Sequence, residues 1–541
     1  MEEVHTPAEY AVGESDTCLT ALLGSAAARP YGVIFTRPQN FEWVNVTAAE
    51  FIAEVYEVAK GFIANGVQQG DRIALLSETR YEWSLLDFAI WAAGAVSVPI
   101  YGSSSLSQIE WIIEDSGAVF AVTETREHTE LMKNLVLGED GKPLLHGSTS
   151  QLRRILEINA SAIATLKFEG RPIDDDQVDG RIHATKSRDL ASLVYTSGTT
   201  GLPKGVMLTH RNLESNGRMG EAWIKPSDNE SIYSVLPLFH AYGMTLGVTI
   251  AALCRARLVL FPTVDMGLIT KAMKKTRPTI LPAVPPVYRR LMDVAKEQGI
   301  SLQGVRYAVS GAMNLPPELV AEWEDASGGD MVEGYGLTEC APLVSCNPLN
   351  DTRRAGSIGI PFPSTDIRVV DPETLQDVPL GEEGELWVHG PQCFAGYWKR
   401  EEDTQKTITA DGWLRTGDIV RLDEDYFIQI VDRIKEVIIT GGFNVSPTEV
   451  ETALKQHDSV ADAAVVGIPQ ASGGEMVVAA VIPAEGHAVD EHALREHCYA
   501  RVTRYKVPRK IVAVDDLPRS MLGKILRRKV REQLIASGEL D

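Results

Sequence analysis

The sequence predicts an α/β fold: a long region of mostly parallel sheet, then a hairpin-rich stretch, then a small α+β unit. Three observations predict it. Short apolar runs alternate with segments of helical apolar spacing over residues 41–125, and the rhythm resumes from Leu190. After about residue 355 the apolar runs are separated by Pro/Gly turns. Residues 436–541 carry a helix–strand pattern of their own. Strands alternating with helices lie parallel, with the helices covering the sheet faces. Short strands joined by Pro/Gly turns form hairpins instead.

Taken in order, Thr47–Asn65 has helical spacing and ends at Gly66. Arg72–Leu76 (RIALL) reads as a buried strand, Trp83–Ala95 as a helix and Val96–Ile100 as a strand. Ile109–Ser116 is helical, and Ala118–Val122 is the next strand. Residues 126–185 are polar and read as irregular, with the acidic run Asp174–Asp176 as a solvated loop. Ser192–Tyr195, Ile232–Val235, Leu258–Phe261, Thr279–Leu281 and Val305–Val309 are further short strands. Ile367–Val370 and Gly384–Val388 belong to the hairpin region. Thr448–Gln456 is helical, Val460–Ile468 and Val477–Ile482 are strands, and the chain closes in a basic helix. No internal repeat is visible.

The chain has 541 residues, 44% hydrophobic and 23% charged, which is the balance of a folded globular protein with a sizeable core. Its 52 Lys+Arg against 74 Asp+Glu give a net charge of −22. That excludes a general nucleic-acid binder, which needs a basic face. It also repels anionic ligands at long range, so a phosphate site must be built from local positive groups. Six cysteines, at 18, 254, 340, 346, 393 and 498, show no CxxC pairing, which points to reduced thiols in a cytoplasmic protein. The acidic N-terminus has no apolar core of a signal peptide. The longest uncharged apolar runs, Phe88–Tyr101 and Ala241–Cys254, have 14 residues each, short of the roughly 18–20 that span a bilayer.

The strongest chemical signal is Thr196-Ser-Gly-Thr-Thr-Gly-Leu-Pro-Lys-Gly205, directly after the apolar run SLVYT. Glycines allow close backbone approach, successive N–H groups and hydroxyls can wrap phosphate oxygens, and Lys204 adds charge. It is not a Walker A loop, because Pro203 precedes the lysine and glycine follows it. Gly334-Tyr-Gly-Leu-Thr-Glu339 is the second motif; taken alone it also reads as a glycine turn with Thr338 capping a helix. Further runs are Leu236-Pro-Leu-Phe-His240, Ser310-Gly-Ala-Met313, Trp413-Leu-Arg-Thr-Gly-Asp418, Val431-Asp-Arg433, Gly441-Gly-Phe-Asn444 and the basic stretch holding Lys524. A lone His beside apolar residues is commonly a core histidine, and lone Asp, Arg and Lys residues are commonly surface groups. The stretch from Arg519 to Arg531 has six Lys/Arg and no acid, as solvated faces often do.

In their order along nearly the whole chain, these motifs resemble the adenylate-forming superfamily: acyl- and aryl-CoA ligases, luciferases and adenylation domains of peptide synthetases. The runs YEWSLLDFAIWAAGAVSVPIY and Gln108–Ala118 are similar to the bacterial long-chain fatty acyl-CoA synthetase branch. The resemblance implies a large N-terminal AMP-binding domain, residues 1–432, of doubly wound sheets plus a distorted β-barrel. A mobile C-terminal domain, 433–541, would turn on a hinge near Lys435. It implies ATP, Mg²⁺ and coenzyme A as cofactor and co-substrates, a fatty acid as substrate, no nucleic acid, and a cytoplasmic location that allows peripheral membrane contact.

The same resemblance implies roles. Thr196, Ser197, Gly198, Thr199, Thr200, Gly201 and Lys204 would hold the phosphates. Gly311 and Ala312, with Gly334, Tyr335 and Gly336, would line the adenine, Tyr335 by stacking. Thr338 would contact the α-phosphate, and Glu339 would bind Mg²⁺ together with Thr196. Asp418 would accept from the ribose hydroxyls, and Arg433 would hold the ribose and phosphate side. Gly441, Gly442, Phe443 and Asn444 would line the pantetheine path. Lys524 would bridge carboxylate and α-phosphate, with Arg527, Arg528 and Lys529 facing outward. His240 would orient the carboxylate or gate its tunnel. Cys340, beside Glu339, would be a packed thiol. Alternatives within the resemblance are an aryl-CoA ligase, a ligase loading a carrier protein, a luciferase-type oxygenase and a non-catalytic binding relative.

Overall fold

The fold is that of a computed structural model describing residues 4–538, apart from positions 9, 40–41, 103, 139–140, 143, 197–201, 228, 434–435, 437, 441–442, 471–474, 503 and 521–522. Contacts divide the chain into two compact units. The larger contains His5–Asp366 and Val388–Leu414; the other contains Met1–Val4, Ile367–Trp387 and Arg415–Asp541. The strands of the hairpin region therefore group with the C-terminal segment, which differs from a division at 432/433.

Two sheets build the larger unit. One has six strands in the order Arg154–Glu157, Phe120–Thr123, Arg72–Leu76, Val96–Ile100, Leu190–Thr196, Lys204–Thr209. They are parallel except for the last, which runs antiparallel to Leu190–Thr196. Both faces are covered, as period-2 alternation requires. Ala74, Leu76, Val98 and Ala121 pack with Ile109, Ile112 and Ile113 of the helix Leu106–Ser116. Phe120, one residue from Ala121, meets Phe62 of the helix Ala48–Ala64 edge-on, with ring centroids 5.5 Å apart. That helix is fixed at its start by a reciprocal capping box between Thr47 and Glu50.

The second sheet has nine strands, with a parallel centre of Val33–Gln39, Arg257–Leu260, Ser231–Ser234, Ile280–Ala283, Tyr307–Ser310 and Asp330–Gly336. Its core joins Tyr233, Val259, Leu281 and Ala308 to Tyr288, Leu291 and Trp323 of the overlying helices.

The segment 126–185 is more regular than its sequence predicts. It holds the helices Arg126–Met132, Ala162–Glu169 and Asp175–Ala184 and the strand Arg154–Glu157. The acidic run is not a loop: Asp174 precedes the helix, and Asp175 and Asp176 occupy its first turn, where carboxylates oppose the positive end of the helix dipole. Asp175 also meets Lys60 at 2.8 Å.

In the other unit, a five-stranded sheet corresponds to the expected distorted barrel. Its last two strands, Leu414–Leu422 and Ile428–Arg433, are antiparallel. A three-stranded sheet of Val460–Pro469, Glu475–Pro483 and Lys510–Ala513 follows. Its residues sort by parity. Ala463, Val465, Ala479 and Val481 face Val450, Leu454 and Leu494, while Ala464, Val466, Val478 and Ala480 face Val530 and Leu534 of the final helix, Arg527–Ser537. Among the described residues no helix is long and apolar enough to cross a membrane.

Asp87 is fully buried in the helix Tyr81–Ala92, and burial pushes its carboxyl up from 3.8 to about 7. The folded chain therefore binds this proton more tightly than the unfolded chain. Its contribution to stability is greatest at acid pH and falls as pH rises from about 4 to about 7. Asp87→Asn removes that loss. We expect it to raise stability at pH 8 by on the order of 1–4 kcal/mol and to have little effect at pH 4, read from urea midpoints at both pH values.

Candidate active site

Leu190–Thr196 and Lys204–Thr209 form an antiparallel hairpin in which Thr196 stands opposite Lys204. The glycine- and threonine-rich loop thus joins two strands, not a strand and a helix, in keeping with its departure from the Walker A pattern. Ser197, Gly198, Thr199, Thr200 and Gly201 lie outside the described residues. Lys204 Nζ is 2.7 Å from Asp403 Oδ2 and 5.4 Å from the centre of the Tyr397 ring. The ammonium holds the Asp403 carboxyl below its ordinary value.

The strand Asp330–Gly336 carries the second motif. Tyr335 is buried at its end, and Gly336 must be glycine: a Cβ there would lie 1.9 Å from the Pro342 carbonyl oxygen. Thr338 opens a single 3₁₀ turn, Thr338–Cys340, whose cap residue is Leu337, so the Thr338 hydroxyl does not cap an α-helix. Glu339, in the same turn, accepts a 2.7 Å hydrogen bond from the Tyr397 hydroxyl on Oε1. Burial, then the Glu339 carboxylate, push the Tyr397 phenol well up, so it stays a protonated donor.

The segment 394–398 joins these two motifs. Phe394 N–H donates to the Glu339 carbonyl (2.8 Å), Met207 N–H to the Gly396 carbonyl (3.0 Å), and Trp398 N–H to the Gly205 carbonyl (2.8 Å). Tyr397 thereby lies between Lys204 and Glu339. Tyr397 and Asp403 went unread in the sequence. The available signal was the run Phe-Ala-Gly-Tyr-Trp-Lys-Arg400, unusually dense in aromatic and basic residues for a turn.

A further motif follows the strand Tyr307–Ser310. Gly311 is buried, and a Cβ on it would come within 3.0 Å of the Tyr242 ring; Ala312 is exposed at φ +64°. The Tyr242 hydroxyl donates to the Val309 carbonyl (2.9 Å), which fixes the ring under this segment. Gly334 is half-buried at the neighbouring strand.

His240 is a capping residue. Its Nδ1 accepts from Tyr242 N–H at 3.2 Å and caps the start of the helix Ala241–Met244. Burial pulls its pKa down to about 4, so the ring is neutral at physiological pH and carries its proton on Nε2. His240→Ala is expected to cost about 1 kcal/mol in thermal melts through the lost cap, and His240→Asn about half of that or less. Cys340 is fully buried with its thiol pushed well up, as expected of a packed cysteine.

Eight predicted residues belong to the other unit: Asp418, Arg433, Lys435, Gly441, Gly442, Phe443, Asn444 and Lys524. Asp418 is 3% exposed and stands opposite Arg433 in the ladder of Leu414–Leu422 and Ile428–Arg433. Its N–H donates to Thr416 Oγ1 (3.1 Å), and the preceding Gly417 N–H donates to Glu385 Oε1 (3.0 Å). Lys524 is half-buried and closes a tight turn: its N–H reaches Ser520 Oγ (3.1 Å), and its carbonyl accepts from Ser520 N–H (2.7 Å). Lys435, Gly441 and Gly442 lie outside the described residues, as do the side chains of Arg433, Phe443 and Asn444; the backbone of Phe443–Val445 forms a short strand.

Arg527 corrects one expectation. It does not face outward: it pairs with Glu451 (2.7 Å) and with Glu436, because a guanidinium can serve two carboxylates at once. Arg528 and Lys529 are exposed as expected.

The profile of the AMP-binding enzyme family matches residues 25–398, and that of the AMP-binding enzyme C-terminal domain matches residues 449–524. The chain belongs to the AMP-binding enzyme family. Its relatives include a long-chain-fatty-acid–CoA ligase from Yersinia pestis, 33% identical over 88% of this chain and 87% of that one. Another, from Bacillus subtilis, is 31% identical over 91% of each. Among solved structures, ATP-bound MatB from Rhodopseudomonas palustris superimposes with a TM-score of 0.83 at 27% identity, over 96% of this chain and 99% of that chain. A Mycobacterium tuberculosis fatty acyl CoA synthetase does so with a TM-score of 0.77 at 27% identity, over 96% and 99%. The two matched family segments contain the hairpin of Leu190–Thr196 and Lys204–Thr209, the Glu339 turn and Lys524.

Proposed function

We propose that this enzyme activates a medium-to-long-chain fatty acid with ATP and transfers the acyl group to coenzyme A. The observation that carries the ATP half is the arrangement of Lys204, Tyr397 and Glu339 at the mouth of the phosphate hairpin. The fatty-acid half rests on relatives named long-chain-fatty-acid–CoA ligases along nearly the whole chain.

The substrate carboxylate is already ionised at neutral pH and needs no general base, in agreement with a neutral His240. Its oxygen bonds to the α-phosphorus as the bond to diphosphate breaks. The coenzyme A thiol then bonds to the acyl carbon as the bond to AMP breaks. Lys204 and the hairpin hold the phosphates, Thr338 the α-phosphate, and Lys524 the charge shared between carboxylate and phosphate. Tyr335, Gly311 and Ala312 hold the adenine, and Asp418 and Arg433 the ribose. Positioning and charge stabilisation are the devices such transfers depend on.

The donor set suits Mg²⁺. Glu339 offers a carboxylate oriented by Tyr397, and among the described residues no cluster of three metal-ligating side chains exists. A cation held by one carboxylate, with Thr196 nearby in the hairpin, would take its other ligands from substrate phosphates and water, and would neutralise phosphate charge. Lys435 as hinge and 441–444 as the thiol path complete the reading. The free thiols of all six cysteines fit a reducing cytoplasm.

The test is ATP–diphosphate exchange across acids from acetate to oleate, followed by thioester formation with coenzyme A. Exchange rising with chain length is expected. No exchange with any acid would overturn the reading, and thioester formation only on a carrier protein would change the acceptor.

A further inference from the structure

A cavity of about 280 Å³ lies in the larger unit, away from every motif described above. It opens where the parallel strands Val33–Gln39, Ser231–Ser234 and Arg257–Leu260 begin. The site motifs follow the ends of parallel strands in the same sheet: Leu236–His240 after Ser231–Ser234, and Gly311 after Tyr307–Ser310. Parallel strands place starts and ends on opposite edges, so the cavity is on the edge remote from those motifs.

Four arginines line it: Arg29, Arg255, Arg257 and Arg277. Arg257 is braced by Thr276 Oγ1 (3.3 Å) and Arg277 by the Gln303 carbonyl (3.1 Å). Among the described residues, no carboxylate forms an ion pair with Arg255, Arg257 or Arg277. The carboxylate in the lining, Glu230, is engaged by Arg306 (2.5 Å), Thr279 and Ser227. Ser231, 5% exposed, also lines the cavity, and its Oγ has no hydrogen-bond partner among the described residues. Arg255 sits at φ +52°, at the end of the helix Ile250–Leu253, where glycine is the usual residue. An arginine there puts a guanidinium at the cavity where an unstrained glycine would put nothing.

We propose that this cavity is an anion site for a phosphate or diphosphate group, either free or carried by a lipid headgroup, separate from the nucleotide site. Guanidinium forks match phosphate oxygens two at a time, and several of them turn the local potential positive in a protein of net charge −22. Pockets for drug-sized ligands measure roughly 300–1,000 Å³, so this one suits a smaller group.

Inorganic diphosphate titrated calorimetrically into the full-length enzyme is expected to show a second class of site. In the Arg255→Gln/Arg277→Gln double variant that class should weaken at least tenfold, while ATP–diphosphate exchange and the melting temperature stay unchanged. Both arginines are exposed, so folding should survive. Vesicles of phosphatidylcholine with and without phosphatidic acid separate the two sources. Binding that requires phosphatidic acid and is lost in the double variant assigns the headgroup. A single class of diphosphate site, together with vesicle binding absent or equal in wild type and variant, would overturn the proposal. So would a second class that the variant leaves intact.

Discussion

Lys524→Ala is expected to lower the rate of acyl-adenylate formation by about 10²–10³-fold, the usual effect of removing one group that stabilises transition-state charge. Supplied with preformed acyl-adenylate and coenzyme A, the same variant should make thioester at close to the wild-type rate, because the proposed bridge between carboxylate and α-phosphate has no part in thiol attack. The turn that presents Lys524 is held through its backbone, by Ser520, so the substitution leaves it intact. An unchanged melting temperature is the control. Equal loss in both half-reactions would assign Lys524 to general binding instead, and no loss in either would remove it from the mechanism.

Glu339→Gln should reduce kcat/KM for ATP by about 10²-fold or more and move the magnesium titration to higher concentration, since a formal charge facing a hard cation is lost. The amide oxygen of Gln can still accept from Tyr397, so the turn is preserved. Tyr397→Phe removes only the hydrogen bond that orients the carboxylate. A bond to a charged group contributes about 1.5–3 kcal/mol, so a loss of roughly 10–100-fold is expected there. If both variants titrate with magnesium like the wild type, Glu339 is not the metal ligand.

Much of the fold was legible because its signal is local. The strands Arg72–Leu76, Val96–Ile100 and Tyr307–Ser310 are short, wholly apolar or nearly so, and punctuated by glycine. The helices of 126–185 were not legible, because Ala162–Glu169 and Asp175–Ala184 bury only two residues each and show little apolar stripe. Lys204 and Glu339, which the structure brings to Tyr397, could be singled out because each sits inside a dense motif. Tyr397 and Asp403 could not. Their partners are 58 and 199 residues away in sequence, and only the pairing of 394–398 with both motifs brings them in. The inward turn of Arg527 has the same cause: a basic run looks solvated until Glu436 and Glu451, far upstream, are found against it.

The ion pair between Lys204 and Asp403 bears on turnover. A lysine that already has a counter-ion cannot greet an incoming polyphosphate as a bare cation; it must first trade one anion for another. The exchange trims the net gain on arrival and supplies a ready replacement at departure. If Lys204 holds the phosphates as proposed, Asp403 would compete with the leaving diphosphate for the same ammonium and so favour its release.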